Sequence, residues 1–291
     1  MKPQKTLQEQ LPELRPGQSI ELLKELHILT RDGKLNQDTR RKLKQVYHLV
    51  QFIEPLLAEV LKTRGDVTLA DHGAGKSYLG FILYDLFFKN QSVGWVTGVE
   101  TRPELVERSK ALAARLGFDR MRFLATTVQE ALTHPDLPPS IDVVTALHAC
   151  DTATDDAIAF GLAKQARHMM LVPCCQAEVA AVMKRSKALN LARTPLAELW
   201  RHPLHTREFG SQITNVLRCL QLEAHGYSVT VTELVGWEHS MKNELILASR
   251  TAGSGQAAQQ QQRRAAERLQ QVLAEVGLQE LHNRFGVPAL A

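Results

Sequence analysis

The sequence contains no run of about 18 apolar residues, so no segment is expected to span a membrane as a helix. Its first residues, MKPQKTLQEQLPELRPG, hold no apolar stretch of the kind a secretory signal needs, and a cytoplasmic location is the expectation. Cysteine is scarce: Cys150, Cys174, Cys175 and Cys219 are the only four in 291 residues. None forms a C-x-x-C pair, which argues against a disulfide framework. Charge of one sign is not abundant either. A net charge of +4 permits a nucleic-acid partner without demanding one. No fixed-period repeat is present. What is plentiful is apolar side chain, 44% of the residues, enough for one large core with or without an accessory piece.

Apolar periodicity divides the chain into three parts. Residues 1–64 read as a helical extension, with the runs IELLKELHILT and KLKQVYHLVQFIEPLLAEVLKT separated by the turn-like RDGKLNQD. Asn36 or Asp38 is the expected N-cap of the second run, and Pro55 is expected to kink or interrupt it. Residues 65–250 alternate. The short apolar runs VTLAD, GWVTGVE, MRFLAT, IDVVTALH and HMMLVP predict strands, with helical stretches between them. That alternation predicts a doubly wound, mostly parallel α/β sheet. Two further strands, YSVTVTELV and NELILASR, predict a closing antiparallel hairpin and bring the sheet to seven strands. Residues 251–291 begin with the linker-like TAGSGQ and continue as a Gln- and Ala-rich amphipathic helix. This helix reads as a packed accessory element, or as a surface for a protein partner.

The segment LADHGAGKSYLG, Leu69 to Gly80, supports two incompatible parses. Gly75, Lys76 and Ser77 look like the end of a phosphate-binding P-loop, but the first glycine of that motif would be residue 70, which is Ala70. No later apolar strand closes cleanly on the aspartate that would hold magnesium. The other parse makes more predictions. A strand ends in Asp71, and Gly73 and Gly75 then turn tightly, so that a ligand can approach the backbone at a helix N-terminus. The next strand closes on Glu100, an acid suited to gripping two ribose hydroxyls. The third glycine of the dinucleotide fingerprint is absent, since Tyr78 stands there. These features favour S-adenosylmethionine over NAD, with Asp71 meeting the methionine ammonium.

DHGAGKSYLG, GVE, LHACDTATD (Leu147 to Asp155) and VPCCQ (Val172 to Gln176) together resemble one branch of the seven-stranded SAM-dependent methyltransferases. That branch shares H-x-C-x-x-A-T-D after the fourth strand and C-C after the fifth. It includes eukaryotic tRNA acceptor-stem 2′-O-methyltransferases and the methyltransferase-like domain of a glutathione-S-transferase C-terminal-domain protein. The resemblance spans roughly Tyr47 to Arg250. It implies that the cofactor meets Asp71, His72, Gly73, Ala74, Gly75, Glu100, Thr101 and Leu147. Thr127, Val128 and Gln129 then stand where many relatives bind adenine.

The same resemblance brings His148, Asp151, Cys174 and Cys175 forward as candidate catalytic residues. Four readings of their cluster stay open. The residues could simply pack a strand end, with Thr154 capping the next helix. His148 or Asp151 could act as a general base or orienting group, which is the preferred reading. A cysteine could attack a pyrimidine ring. His148, Cys150, Cys174 and Cys175 could instead hold zinc, although adjacent cysteines suit one ion poorly. The sequence has neither N-P-P-Y nor D-P-P-Y after the fourth strand, which argues against adenine amino-group methylation. RNA, as tRNA or rRNA, is the leading acceptor, and RRKLK, MKRSK and RHPLHTR are its candidate phosphate contacts. The alternatives are a small-molecule or protein acceptor, or a catalytically silent SAM-binding assembly module.

Overall fold

The computed structural model describes residues 11, 13–147, 149, 151–173, 176–186, 194–234, 244–253 and 255–286. His148, Cys150, Cys174 and Cys175 therefore lie outside the described residues. Seven strands form one sheet in the order β3-β2-β1-β4-β5-β7-β6, as the alternating pattern predicts. The chain divides into two compact units, Met1–Leu137 and Pro138–Ala291.

The first unit opens with the helices α1 (Ile20–Glu25) and α2 (Gln37–Arg64). Asn36 caps α2 reciprocally with Thr39: its Oδ1 accepts from the Thr39 amide at 2.9 Å, and its own amide donates to Thr39 Oγ1 at 2.8 Å. Gly65, at φ 74°, ends the helix in the left-handed conformation. Pro55 does not interrupt it. Val46, Leu49, Val50, Ile53, Leu57 and Val60 form one buried stripe on both sides of the proline. Their burial offsets a cost of about 3 kcal/mol for a proline in a helix interior.

β1 (Thr68–His72), β2 (Trp95–Glu100) and β3 (Met121–Ala125) then pair in parallel, with Asp71 opposite Gly98 and Glu100 opposite Ala125. α3 (Tyr78–Leu86), α4 (Pro103–Leu116) and the short α5 (Val128–Ala131) follow the strands in turn. β1 and β2 are buried along most of their length, as parallel strands covered on both faces must be.

In the second unit β4 (Val143–Leu147) pairs in parallel with β5 (His168–Val172). β5 pairs antiparallel with β7 (Glu244–Arg250), which pairs antiparallel with the edge strand β6 (Tyr227–Glu233). The helices are α6 (Thr152–Ala163), α7 (Glu178–Ser186), α8 (Pro203–Ala224) and α9 (Gln256–Glu275). The Gln-rich tail belongs to this unit's core. Leu269 and Leu273 of α9 are buried with Val179, Val182 and Met183 of α7 and with Leu217 and Leu220 of α8. Arg284 adds a two-toothed pair to Glu178, at 3.1 and 3.0 Å. The apolar stripe of α9 is thus spent on its own chain.

Because Leu269 is fully buried, Leu269→Ala should lower unfolding free energy by about 2–5 kcal/mol. Chemical denaturation measures this. A change near zero would mean that α9 is an appendage.

Candidate functional site

β1 delivers its chain to a turn made by two glycines, Gly73 at φ 61° and Gly75 at φ 56°. Side chains rarely adopt that conformation, which is the physical reason for glycine at both places. The turn is tied to β2 twice. The Ala74 amide donates to the Val99 carbonyl at 3.2 Å, and the Gly75 amide donates to Glu100 Oε2 at 2.8 Å. Asp71, at the end of β1, is buried, and Ser77 Oγ lies 3.5 Å from its Oδ2.

Ser77 settles the P-loop question locally. Its side chain is buried, and its φ is 49°. A Cβ at Gly80 would lie 2.6 Å from Ser77 Oγ, and one at Gly98 would lie 3.2 Å from it. The hydroxyl is packed inward beside Asp71. Lys76 is exposed.

Glu100 is the most heavily engaged acid of the predicted set. Oε1 accepts from the Arg102 amide at 3.1 Å and from Arg102 Nε at 2.9 Å, and Oε2 accepts from Arg102 Nη2 at 3.1 Å. Thr101 Oγ1 lies 3.4 Å from Oε1. Burial alone would raise the Glu100 pKa, but the hydrogen bonds from Arg102 and Gly75 outweigh it and hold it at about 2. Arg102, which the sequence does not single out, thus supplies three of the bonds to Glu100. Its place two residues after the strand-ending acid was the available signal.

His72 is fully buried, and burial pushes its pKa down to about 3, so it is a neutral imidazole at pH 7. Thr127 caps α5 in a reciprocal box with Glu130, Val128 is half-buried, and Gln129 is exposed. A cleft lined by Lys110, Phe118, Arg122, Phe123, His134 and Asp136 contains none of the predicted site residues.

In the second unit Leu147 ends β4 and is half-buried. Asp151 has φ 51° and ψ −120°, outside the ordinary regions for a side-chain-bearing residue. Its Oδ1 accepts from the amides of Ala177 and Glu178 at 2.9 and 3.1 Å. Its carboxylate is thus a cap on the start of α7. Thr154 does not cap α6. Its hydroxyl donates back to the Ala149 carbonyl at 2.7 Å. Cys219 is half-buried and its thiol is pushed up to about 12 by burial, so it is unreactive.

The basic stretches carry their own acids. Arg40 pairs with Glu13 and Arg41 with Asp38. Arg185 pairs with Glu280, Arg201 with Glu198, and Arg207 with Glu208. Among the described residues, no helix is long and apolar enough to cross a membrane.

Residues 41–182, just under half of the chain, match a protein-family model described as a methyltransferase domain. None of the curated proteins matches the chain. Among solved structures, a putative O-methyltransferase from Klebsiella pneumoniae shares 13% identity at a TM-score of 0.44, covering 84% of this chain and 94% of that one. Magnesium protoporphyrin IX methyltransferase from Synechocystis, with bound SAH, shares 14% identity at 0.43, covering 79% and 93%. The fibrillarin pre-rRNA processing protein of Methanococcus jannaschii shares 10% at 0.41, covering 64% and 66%. The matched segment runs from α2 to α7 and contains both the glycine turn and the two cysteine-bearing motifs. That segment is therefore similar to a methyltransferase domain.

Folding lowers the Glu100 pKa from 4.5 to about 2. The stabilisation is therefore complete above about pH 4.5 and is lost as pH falls towards about 2. Glu100→Gln should flatten this part of the stability profile, measured by denaturation between those limits. Parallel acid limbs for the two proteins would show that the carboxylate is not held in this way.

Proposed function

We propose that the chain, built on a methyltransferase domain, methylates RNA, with the donor held by the glycine turn and Glu100. The observation that carries the donor site is the Glu100 carboxylate 2.8 Å from the Gly75 amide. An ionised carboxylate there would accept from two hydroxyls beside a turn whose Gly73 and Gly75 carry no Cβ atoms. The buried acid Asp71 supplies the partner for the methionine ammonium. When bound, S-adenosylmethionine supplies a methyl group on a positively charged sulfur. Thr127, Val128 and Gln129 are assigned to the adenine side, with Thr101 beside Glu100.

Methyl transfer is an in-line displacement, so the protein's work is to place the acceptor and to hold its proton. Asp151 already accepts two backbone N–H bonds and serves as a positioning group. The base role then falls to His148. RNA as acceptor is supported by the resemblance of LHACDTATD and VPCCQ to the tRNA 2′-O-methyltransferase branch and by the net charge of +4. The paired surface arginines are compatible with it. Exposed ion pairs contribute about 0–1 kcal/mol, so phosphates can displace the acids.

Calorimetry should show S-adenosylhomocysteine binding and no binding of a nucleoside triphosphate. Asp71→Ala and Glu100→Ala should each weaken it by roughly 10-fold or more, about 1.4 kcal/mol per decade. Tritiated methyl supplied to fractionated RNA, protein and metabolites should enter RNA and disappear with Asp71→Ala. Label confined to protein or small molecules would remove the RNA acceptor and leave the donor site standing.

A further inference from the structure

Arg218 lies on α8 with no exposed side-chain surface. A buried arginine is costly unless its donors are satisfied, and an apolar side chain of similar volume is often at least as stabilising there. Four of its donor contacts are accounted for. Nε and Nη2 form a two-toothed pair with Asp155, at 2.7 and 2.9 Å. Nη2 also reaches the Asp151 carbonyl at 2.9 Å, and Nη1 reaches Asn215 Oδ1 at 3.1 Å.

The partners of these partners lead to the loop after β5. Asn215 Oδ1 also accepts from Gln176 Nε2 at 3.1 Å, and Gln176 Oε1 accepts from Ser211 Oγ at 2.5 Å. Asn215 Nδ2 donates to Glu244 Oε2 at 2.6 Å, at the start of β7. The Asp151 carboxylate meanwhile holds the amides of Ala177 and Glu178. One guanidinium therefore fixes the left-handed residue that ends the turn after β4. Through Asn215 and Asp151 it also fixes the residues that follow the C-C pair after β5.

We propose that Arg218 is a positioning residue for methyl transfer, holding Asp151 after β4 and Gln176 to Glu178 after β5 where the acceptor requires them. This rests on the methyltransferase reading above. Its described bonds run to Asp151, Asp155 and Asn215, and it acts through them. The role needs arginine specifically. A lysine ammonium cannot span a carboxylate fork, the Asp151 carbonyl and the Asn215 oxygen together.

The test uses the full chain, with Arg218→Met as the apolar replacement and Arg218→Lys as the charge-retaining one. Affinity for S-adenosylhomocysteine should stay within about 3-fold of wild type, since the described bonds of this network run among residues of the second unit, whereas Asp71 and Glu100 belong to the first. Turnover at saturating donor should fall roughly 10- to 100-fold in both variants, the scale of a misplaced reacting group. Amide exchange at Ala177 and Glu178 should rise. Should Arg218→Met fail to fold, Arg218→Lys keeps the cation beside Asp155 and carries the same readouts. Turnover within 2-fold of wild type in a folded variant would overturn the inference and leave Arg218 a purely structural group. A wild-type protein that transfers no methyl at all would instead sink the methyltransferase reading, and this inference with it.

Discussion

A buried parallel strand ends at the sheet's carboxyl edge, where the chain must turn at once into a helix while its amides still find partners. The two units meet this constraint differently. After β1 the turn is made by Gly73 and Gly75, whose positive φ is free of steric cost, and the Gly75 amide is taken by Glu100. After β4 it is made by Asp151, which bears a side chain at φ 51°. A side-chain-bearing residue held in a sparsely populated region costs on the order of 1–3 kcal/mol and persists only where its surroundings over-determine it. Here the Asp151 carbonyl accepts from Arg218 and its carboxylate accepts from two amides. The strain is local, and so are the bonds that hold it.

The first solution leaves an open backbone for a ligand to approach, and its demands reach into the neighbouring strand. Ser77, itself at positive φ, directs its hydroxyl beside Asp71, and Gly80 and Gly98 are the residues that leave room for it. Three small residues on three elements thus set where one carboxylate sits. Gly98 also faces Phe123, 2.9 Å from where its Cβ would lie, so the packing of β3 enters the same account. The lysine and serine that resemble a P-loop in one dimension are divided by the fold, one exposed and one buried.

Much of this could be read from the chain. The seven strands fall where short apolar runs predict them, because covered parallel strands need those runs. Asn36 caps α2 because its side chain and that of Thr39 are three residues apart, a local relation. Local patterns fail where a partner is distant. Asp155 is 63 residues from Arg218, and nothing in either neighbourhood announces the other, although an arginine inside the apolar NVLRCLQL was a signal of buried charge. Pro55 misled for the same reason, since the packing that keeps α2 continuous involves residues elsewhere. The amphipathic stripe of α9 was legible, but its covering by α7 and α8 was not. The strand-ending position of Glu100 is legible in the chain, whereas its pairing with Arg102 is not, because that appears only when the guanidinium folds back on the acid.

Arginine plays opposite parts here, and burial decides which. Arg201 and Arg207 are more than half exposed beside acids one to three residues away. Water and salt screen such pairs, their net worth is about 0–1 kcal/mol, and a polyanion can take the acid's place. Arg218 sits in a medium where losing one partner leaves an uncompensated charge, at a cost of about 3–5 kcal/mol. The exposed arginines are therefore exchangeable and the buried one is fixed. It follows that net charge alone does not identify an acceptor. What bears on a polyanionic acceptor is the set of cations whose present partners are weak enough to release them, and within the basic stretches these include Arg40, Arg41, Arg185, Arg201 and Arg207. The buried pair sets geometry, and the exposed pairs leave the surface free to change partners.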